Sequence, residues 1–75
     1  DGRAEALEFV IREESEVTGI PLMNLNLKNN LLIGCINRGG NIKIARGQDC
    51  IQQGDTVIVL TSQKGLRDIR DILRK

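Results

Sequence analysis

The apolar runs of this chain are short, and glycine interrupts them: "FVI", "LLIGCI" and "VIVL" are the longest. Between Leu31 and Leu60 lie five of its eight glycines, a spacing that favours short strands joined by tight turns. None of the runs approaches the roughly 20 residues that span a bilayer. The 75 residues allow one small domain, expected over 1–75. A domain of this size buries a modest share of its surface, so a partner surface would add to a marginal core.

Period-two alternation places Leu7, Phe9 and Ile11 on one face of a strand, with Glu8 and Val10 on the other. The charged "REESE" ends it, and Pro21 is suited to open a short helix that turns Leu22, Met23 and Leu25 inward. "LLIGCIN" is apolar on both faces and reads as a central strand, with Gly34 marking a bulge or a close neighbour. Gly39-Gly40 suits a hairpin turn that needs positive φ twice. "IKIA" then reads as a strand with Ile42 and Ile44 inward and Lys43 outward. "IQQGD" is a further turn with Gly54 in the special backbone position, and "TVIVL" is a β-branched strand expected to be buried on both faces.

Ser62 is a fair N-cap for the last segment. There Leu66, Ile69, Ile72 and Leu73 recur at helical spacing, predicting an amphipathic helix weakened at its start by Gly65. The expected fold class is α+β: a small, mostly antiparallel sheet of about four strands with one short and one C-terminal helix, in the order β-α-β-β-β-α.

The chemistry suggested by these residues is sparse. Lys and Arg number 11 against 10 Asp and Glu, and there is no Trp, no Tyr and one Phe. Neither the basic field of a duplex binder nor the aromatic platform of a single-strand binder is present, so nucleic acid is not an expected partner. With no His, Cys35 and Cys50 have no Cys-His pairing and lack the usual companions of a zinc site. Buried free thiols in a reducing compartment are the plain reading of both. The glycines beside Arg38, Lys43 and Arg46 could cradle phosphate, but they lie between strands and form no nucleotide fingerprint. The acidic pairs Glu13-Glu14 and Asp49/Asp55 could act as general acid and base, or be ordinary loop and turn residues. No catalytic residue and no metal ligand is predicted. The final helix stripe would pack on the domain's own sheet or, alternatively, meet a partner groove.

Taken together, "VTGIPLMNLNL", "LLIGCINRGGNIKIARGQDCIQQGDTVIVL" and the final segment resemble the TrkA C-terminal domain family, also called the RCK C-terminal domain. Gly19 and Leu22 match the segment before its short helix. Ile36, Arg38 and Gly39 match its strand and Arg-Gly turn. Ile42, Ile44 and Gly47 match the next strand, and Gly54-Asp55 the Gly-Asp ahead of a hydrophobic strand. The family usually has Pro where this chain has Ala45, which leaves that turn less rigid.

The resemblance implies a cytoplasmic, non-catalytic regulatory domain, peripheral to the membrane through a transport partner. It would form homodimers and serve a cytosolic subunit that controls potassium transport. The resemblance also implies a Rossmann-type domain with the NAD site before Asp1, with no NAD bound by these residues; separately, "DGRAEALEFV" reads as though cut from a longer chain. In some relatives a cleft between two copies binds cyclic di-AMP. The positions implied here are Asn37, Arg38, Ile42, Ile44 and Ala45, with Arg38 meeting a phosphate and the isoleucines covering a base. Against this stands the reading of Ile42 and Ile44 as plain core. The same domain type attached to another transporter, an antiporter or a transcription regulator is the alternative, and a small enzyme using the acidic turn residues is a further one.

Overall fold

A computed structural model describes residues 3–74; Asp1, Gly2 and Lys75 of the expected 1–75 domain lie outside the described residues. Four strands form one sheet: β1 (Glu5–Val10), β2 (Leu31–Arg38), β3 (Asn41–Ile44) and β4 (Thr56–Thr61), in the spatial order β1-β4-β2-β3. Every neighbouring pair is antiparallel. The β-branched residues of β4 place it centrally, paired with β1 through Leu7↔Val59 and Phe9↔Val57, and with β2 through Ile33↔Val59 and Ile36↔Val57.

Gly34 is a bulge, as its place in an apolar strand suggests. Pairing with β4 slips between Ile33 and Cys35. A strict period of two would put Ile33 and Cys35 on one face. The extra residue resets the phase, so Ile33 and Ile36 both point into the core and Cys35 points away. The hairpin from β2 to β3 turns on Gly39 and Gly40, with φ of 60° and 90°, values open to glycine and strained for other residues.

The inner face of the sheet, carrying Ile33, Ile36, Val57 and Val59, is closed by a layer of loops that contributes Val17, Leu22, Ile51, Ile69 and Ile72. Backbone hydrogen bonds weld this layer. Gly19 N–H donates to Ile51 O, Leu22 N–H to Asp49 O, and Met23 N–H to Gly47 O, each at 2.8–2.9 Å.

Two expectations about helices are corrected. The segment after Pro21 is a single 3-10 turn, Leu22–Asn24, whose Leu22 is buried while Met23 faces solvent. The C-terminal helix does not form; only a 3-10 turn, Ile69–Ile72, appears. Gly65, at φ 83°, redirects the chain after β4. Asp68, not Ser62, is the N-cap, forming a capping box with Asp71 that binds the local N–H groups. The chain then pairs laterally, with Lys28 N–H donating to Ile72 O and Arg74 N–H to Asn26 O. These bonds replace a helix ladder that so short a segment would hold weakly. Ile69 and Ile72 still enter the core, so the apolar spacing identified the buried residues without the conformation.

The orientation of β3 is also reversed. Ile42 and Ile44 are 69% and 79% exposed, and Lys43 lies on the loop side, its Nζ 3.1 Å from Asp49 Oδ1. The partners Asn37↔Ile42 and Cys35↔Ile44 put both isoleucines on the face turned from the core. The plain-core reading of these two residues is thereby excluded.

Replacing Gly40 by Ala should lower the free energy of unfolding in urea by about 1–2 kcal/mol, the cost of a left-handed L-residue. Nothing lies within 4 Å of the added Cβ, so the loss is purely backbone strain.

Candidate functional site

The loop layer covers one face of the sheet. The other carries Ala6, Glu8 and Val10 from β1, Ile58 and Leu60 from β4, Leu32, Cys35 and Asn37 from β2, and Ile42 and Ile44 from β3. Val10, Leu32, Ile42, Ile44 and Leu60 on this face are exposed large hydrophobic residues. Leu60 and Ile58 depart from the expected burial of β4 on both faces: Leu60 is 40% exposed and Ile58 half-buried. Cys35 and Cys50 are free thiols, half-buried rather than buried.

The five residues implied as ligand contacts divide between the two sides. Asn37, Ile42 and Ile44 share the outer face, with Asn37 directly across from Ile42, and Ala45 follows at the end of β3. The Asn37 Oδ1 is buried without a hydrogen-bond partner. Arg38 lies on the other side. Its Nε donates to Asp55 Oδ1 and its Nη2 to Asp55 Oδ2, both at 2.9 Å, in a bidentate fork. Nη2 also donates to Cys50 O at 2.9 Å. The Arg38 side chain remains 39% exposed.

Asp55 is fully buried, and its Oδ2 also accepts the Gln52 N–H at 2.9 Å. The Arg38 hydrogen bond holds the Asp55 carboxyl below the ordinary carboxylate range; desolvation opposes this, and the Gln52 N–H adds to it. Asp49 is likewise lowered, first by the Arg46 N–H and then by Lys43. Both carboxylates named as a possible acid–base pair are thus ionised ion-pair partners at neutral pH, the opposite of a poised general acid.

Sequence reasoning missed Asp55 as the partner of Arg38, and missed Val10, Leu32 and Leu60 as one surface with the β3 isoleucines. The available signal was the double-sided apolarity of "LLIGCI" and "TVIVL" in a chain with only one layer of covering segments. Two surface hollows have volumes of about 510 Å³. One lies between the end of β1 and residues 67–70, lined by two acidic side chains, Glu8 and Asp68, and two basic ones, Arg12 and Arg67. No helix among the described residues is long and apolar enough to cross a membrane.

Comparison with known proteins gives a family match over nearly the whole chain: the model described as the TrkA-C domain fits residues 6–74. The chain is 34% identical over 73 residues to the Trk system potassium uptake protein TrkA homolog of Pyrococcus abyssi, covering 96% of this chain and 32% of that protein. It is 30% identical over 71 residues to the homolog of Archaeoglobus fulgidus (95% and 16%). It is 35% identical over 66 residues to the TrkA protein of Haemophilus influenzae (84% and 14%). The chain therefore spans a third or less of the length of these relatives.

Arg38→Ala should cost about 1–3 kcal/mol of stability at neutral pH, since it removes the partner of the buried Asp55 charge; the loss is less than that of a fully buried pair because the Arg38 side chain is 39% exposed. In the native protein the depressed Asp55 pKa makes the pair's contribution complete above the carboxyl's unfolded-state pKa. That contribution is lost as pH falls through the lower folded value. Urea unfolding from neutral pH into the acid range should show this acid loss in the native chain and a shallower one in Arg38→Ala.

Proposed function

The chain belongs to the TrkA-C domain family, and from that premise we propose that it is the regulatory domain of a cytosolic subunit controlling potassium transport, one that pairs with a second copy and senses a small ligand. The relatives above are named as potassium uptake proteins, which favours this owner over an antiporter or a transcription regulator. The observation that carries the reading is the bare apolar face of the sheet, with its protruding isoleucines on edge strand β3. A face of that kind is what a regulatory module needs. Its contacts can differ between two arrangements of a pair, and a ligand shifts a gate only through that difference.

The ligand reading uses the same edge. Cyclic di-AMP would lie across β3, its base against Ile42 and Ile44 beside Asn37 and Ala45. Arg38 points to the opposite side of the sheet from Ile42 and Ile44 and is held there by Asp55, so the phosphate would have to meet its 39% exposed side chain around the hairpin end of the sheet. A preceding Rossmann-type domain would supply the NAD site, and a membrane transport subunit would receive the signal at the cytoplasmic surface.

Isothermal titration of the 75-residue chain with cyclic di-AMP tests the sensor. Saturable heat at one ligand per two chains is expected, with affinity reduced about tenfold, or 1.4 kcal/mol, in Ile42→Ala. Absence of heat at millimolar ligand would remove cyclic di-AMP from the reading. An unchanged Ile42→Ala isotherm would move the site away from β3.

A further inference from the structure

We propose that the open edge of β1 takes an extended, acidic segment of another protein as an added antiparallel strand, seated in the hollow between β1 and residues 67–70. β1 ends the strand order, so one of its sides has no neighbouring strand among the described residues. The Ile11 N–H bond to Asp55 O fixes which backbone groups that side presents. The register with β4 runs from Glu5↔Thr61 to Val10↔Thr56 without a slip. Ile11, Phe9 and Leu7 therefore address β4, while Glu8 and Val10 turn their N–H and C=O groups to the open edge. A row of unpaired backbone groups is a template for a further strand.

The two edges of the sheet are not equally open. The far edge strand, β3, has four residues and carries Lys43, and both features blunt an edge. β1 has six residues, with no Lys, no Pro and no bulge. Beside it lies the hollow of about 510 Å³, bordered by Glu8, Phe9 and Val10 on one side and by Arg67, Asp68 and Ile69 on the other. An edge strand faced by a second wall is a groove rather than a bare rim. About four residues of an extended chain, at about 3.4 Å each, span the stretch from Glu8 to Arg12.

Charge selects the occupant. Arg70 Nε donates to Asp68 Oδ2 at 2.6 Å, and that bond raises the Arg70 pKa, with Glu13 and Glu16 adding to the effect. These groups answer one another. Arg12 and Arg67 are both exposed, and neither side chain makes an ion pair among the described residues. Side chains of an added strand alternate, so one set faces the wall that carries Arg67 and the other lies beside Val10 on the outer face. Acidic residues at every second position, with apolar ones between, match this groove. A whole second copy extending the sheet about a two-fold axis would bring its own 67–70 wall, net positive like the first, into the same space. A single strand carries no such wall.

Fluorescence anisotropy of a capped, labelled hexapeptide of alternating valine and aspartate, titrated with the 75-residue chain, tests the groove; far-UV circular dichroism verifies the fold of each variant. Saturable binding of one peptide per chain is expected, and a valine–lysine peptide should not bind. Arg12→Glu and Arg67→Glu should each weaken binding about tenfold. In antiparallel addition the outward residues, here the valines, present their N–H groups to β1. N-methylation of the valines should therefore abolish binding, and N-methylation of the aspartates should leave it. No binding at millimolar peptide, or full binding of the valine-methylated peptide, would overturn strand addition. Charge-reversed variants that bind as the native chain does would overturn the acidic preference. Sedimentation equilibrium separates this from self-pairing: the number of chains per particle should be unchanged by saturating peptide, whether it is one or two. Peptide that splits a dimer would assign the edge to a second copy and overturn the foreign strand.

Discussion

The bidentate pair between Arg38 and Asp55 holds the loop layer to the sheet. Asp55 stands at the entrance to β4, fully buried, and gathers three parts of the chain. Its carbonyl accepts the Ile11 N–H just beyond β1, its carboxylate takes the Gln52 N–H, and the Arg38 fork ties it to the end of β2. Arg38 then reaches on to Cys50 O, so the segment that delivers Ile51 to the core is pinned under the sheet. An isolated buried carboxylate would be costly. With its charge matched and its oxygens bonded, it becomes a point of registration instead.

Pinning the loops to one side has a consequence for the other. The chain has enough connecting segments to make one covering layer, and all of its apolar closers enter the same core. The outer face therefore keeps its hydrophobic residues in water. In a larger domain a helix would lie there. On the proposed reading this exposure is the functional asset: one face supplies the domain with its own stability, and the other is left for contacts with a second copy.

Much of the fold was legible from local chemistry. Gly39-Gly40 specified the hairpin because two successive left-handed residues leave few alternatives. Gly34 pointed to a bulge or a close neighbour, and the structure shows a register slip there together with the Ile58 carbonyl 3.4 Å from where a Cβ would sit. The alternation of Leu7, Phe9 and Ile11 identified the inner side of β1. The final segment was legible only by halves. Its spacing named Ile69 and Ile72 as core, but Gly65, the Asp68 cap and lateral bonding to residues 26–28 chose an irregular path over a helix. The candidate site was legible as a set of residues but not as a geometry. "IKI" states that Ile42 and Ile44 share a face; nothing in four residues states which face is wet.

By itself, the sequence determined the strands, the turns between them and the identity of most core residues. These follow from backbone φ at single glycines and from a two-residue period, both local properties. Only the tertiary structure decided which side of the sheet is covered. That choice rests on Arg38 meeting Asp55 across the fold and on the phase shift at Gly34, whose effect depends on register with β4. A pairing between distant residues leaves no mark in the local pattern of either, so the bare face and its isoleucines became visible only once the chain had folded.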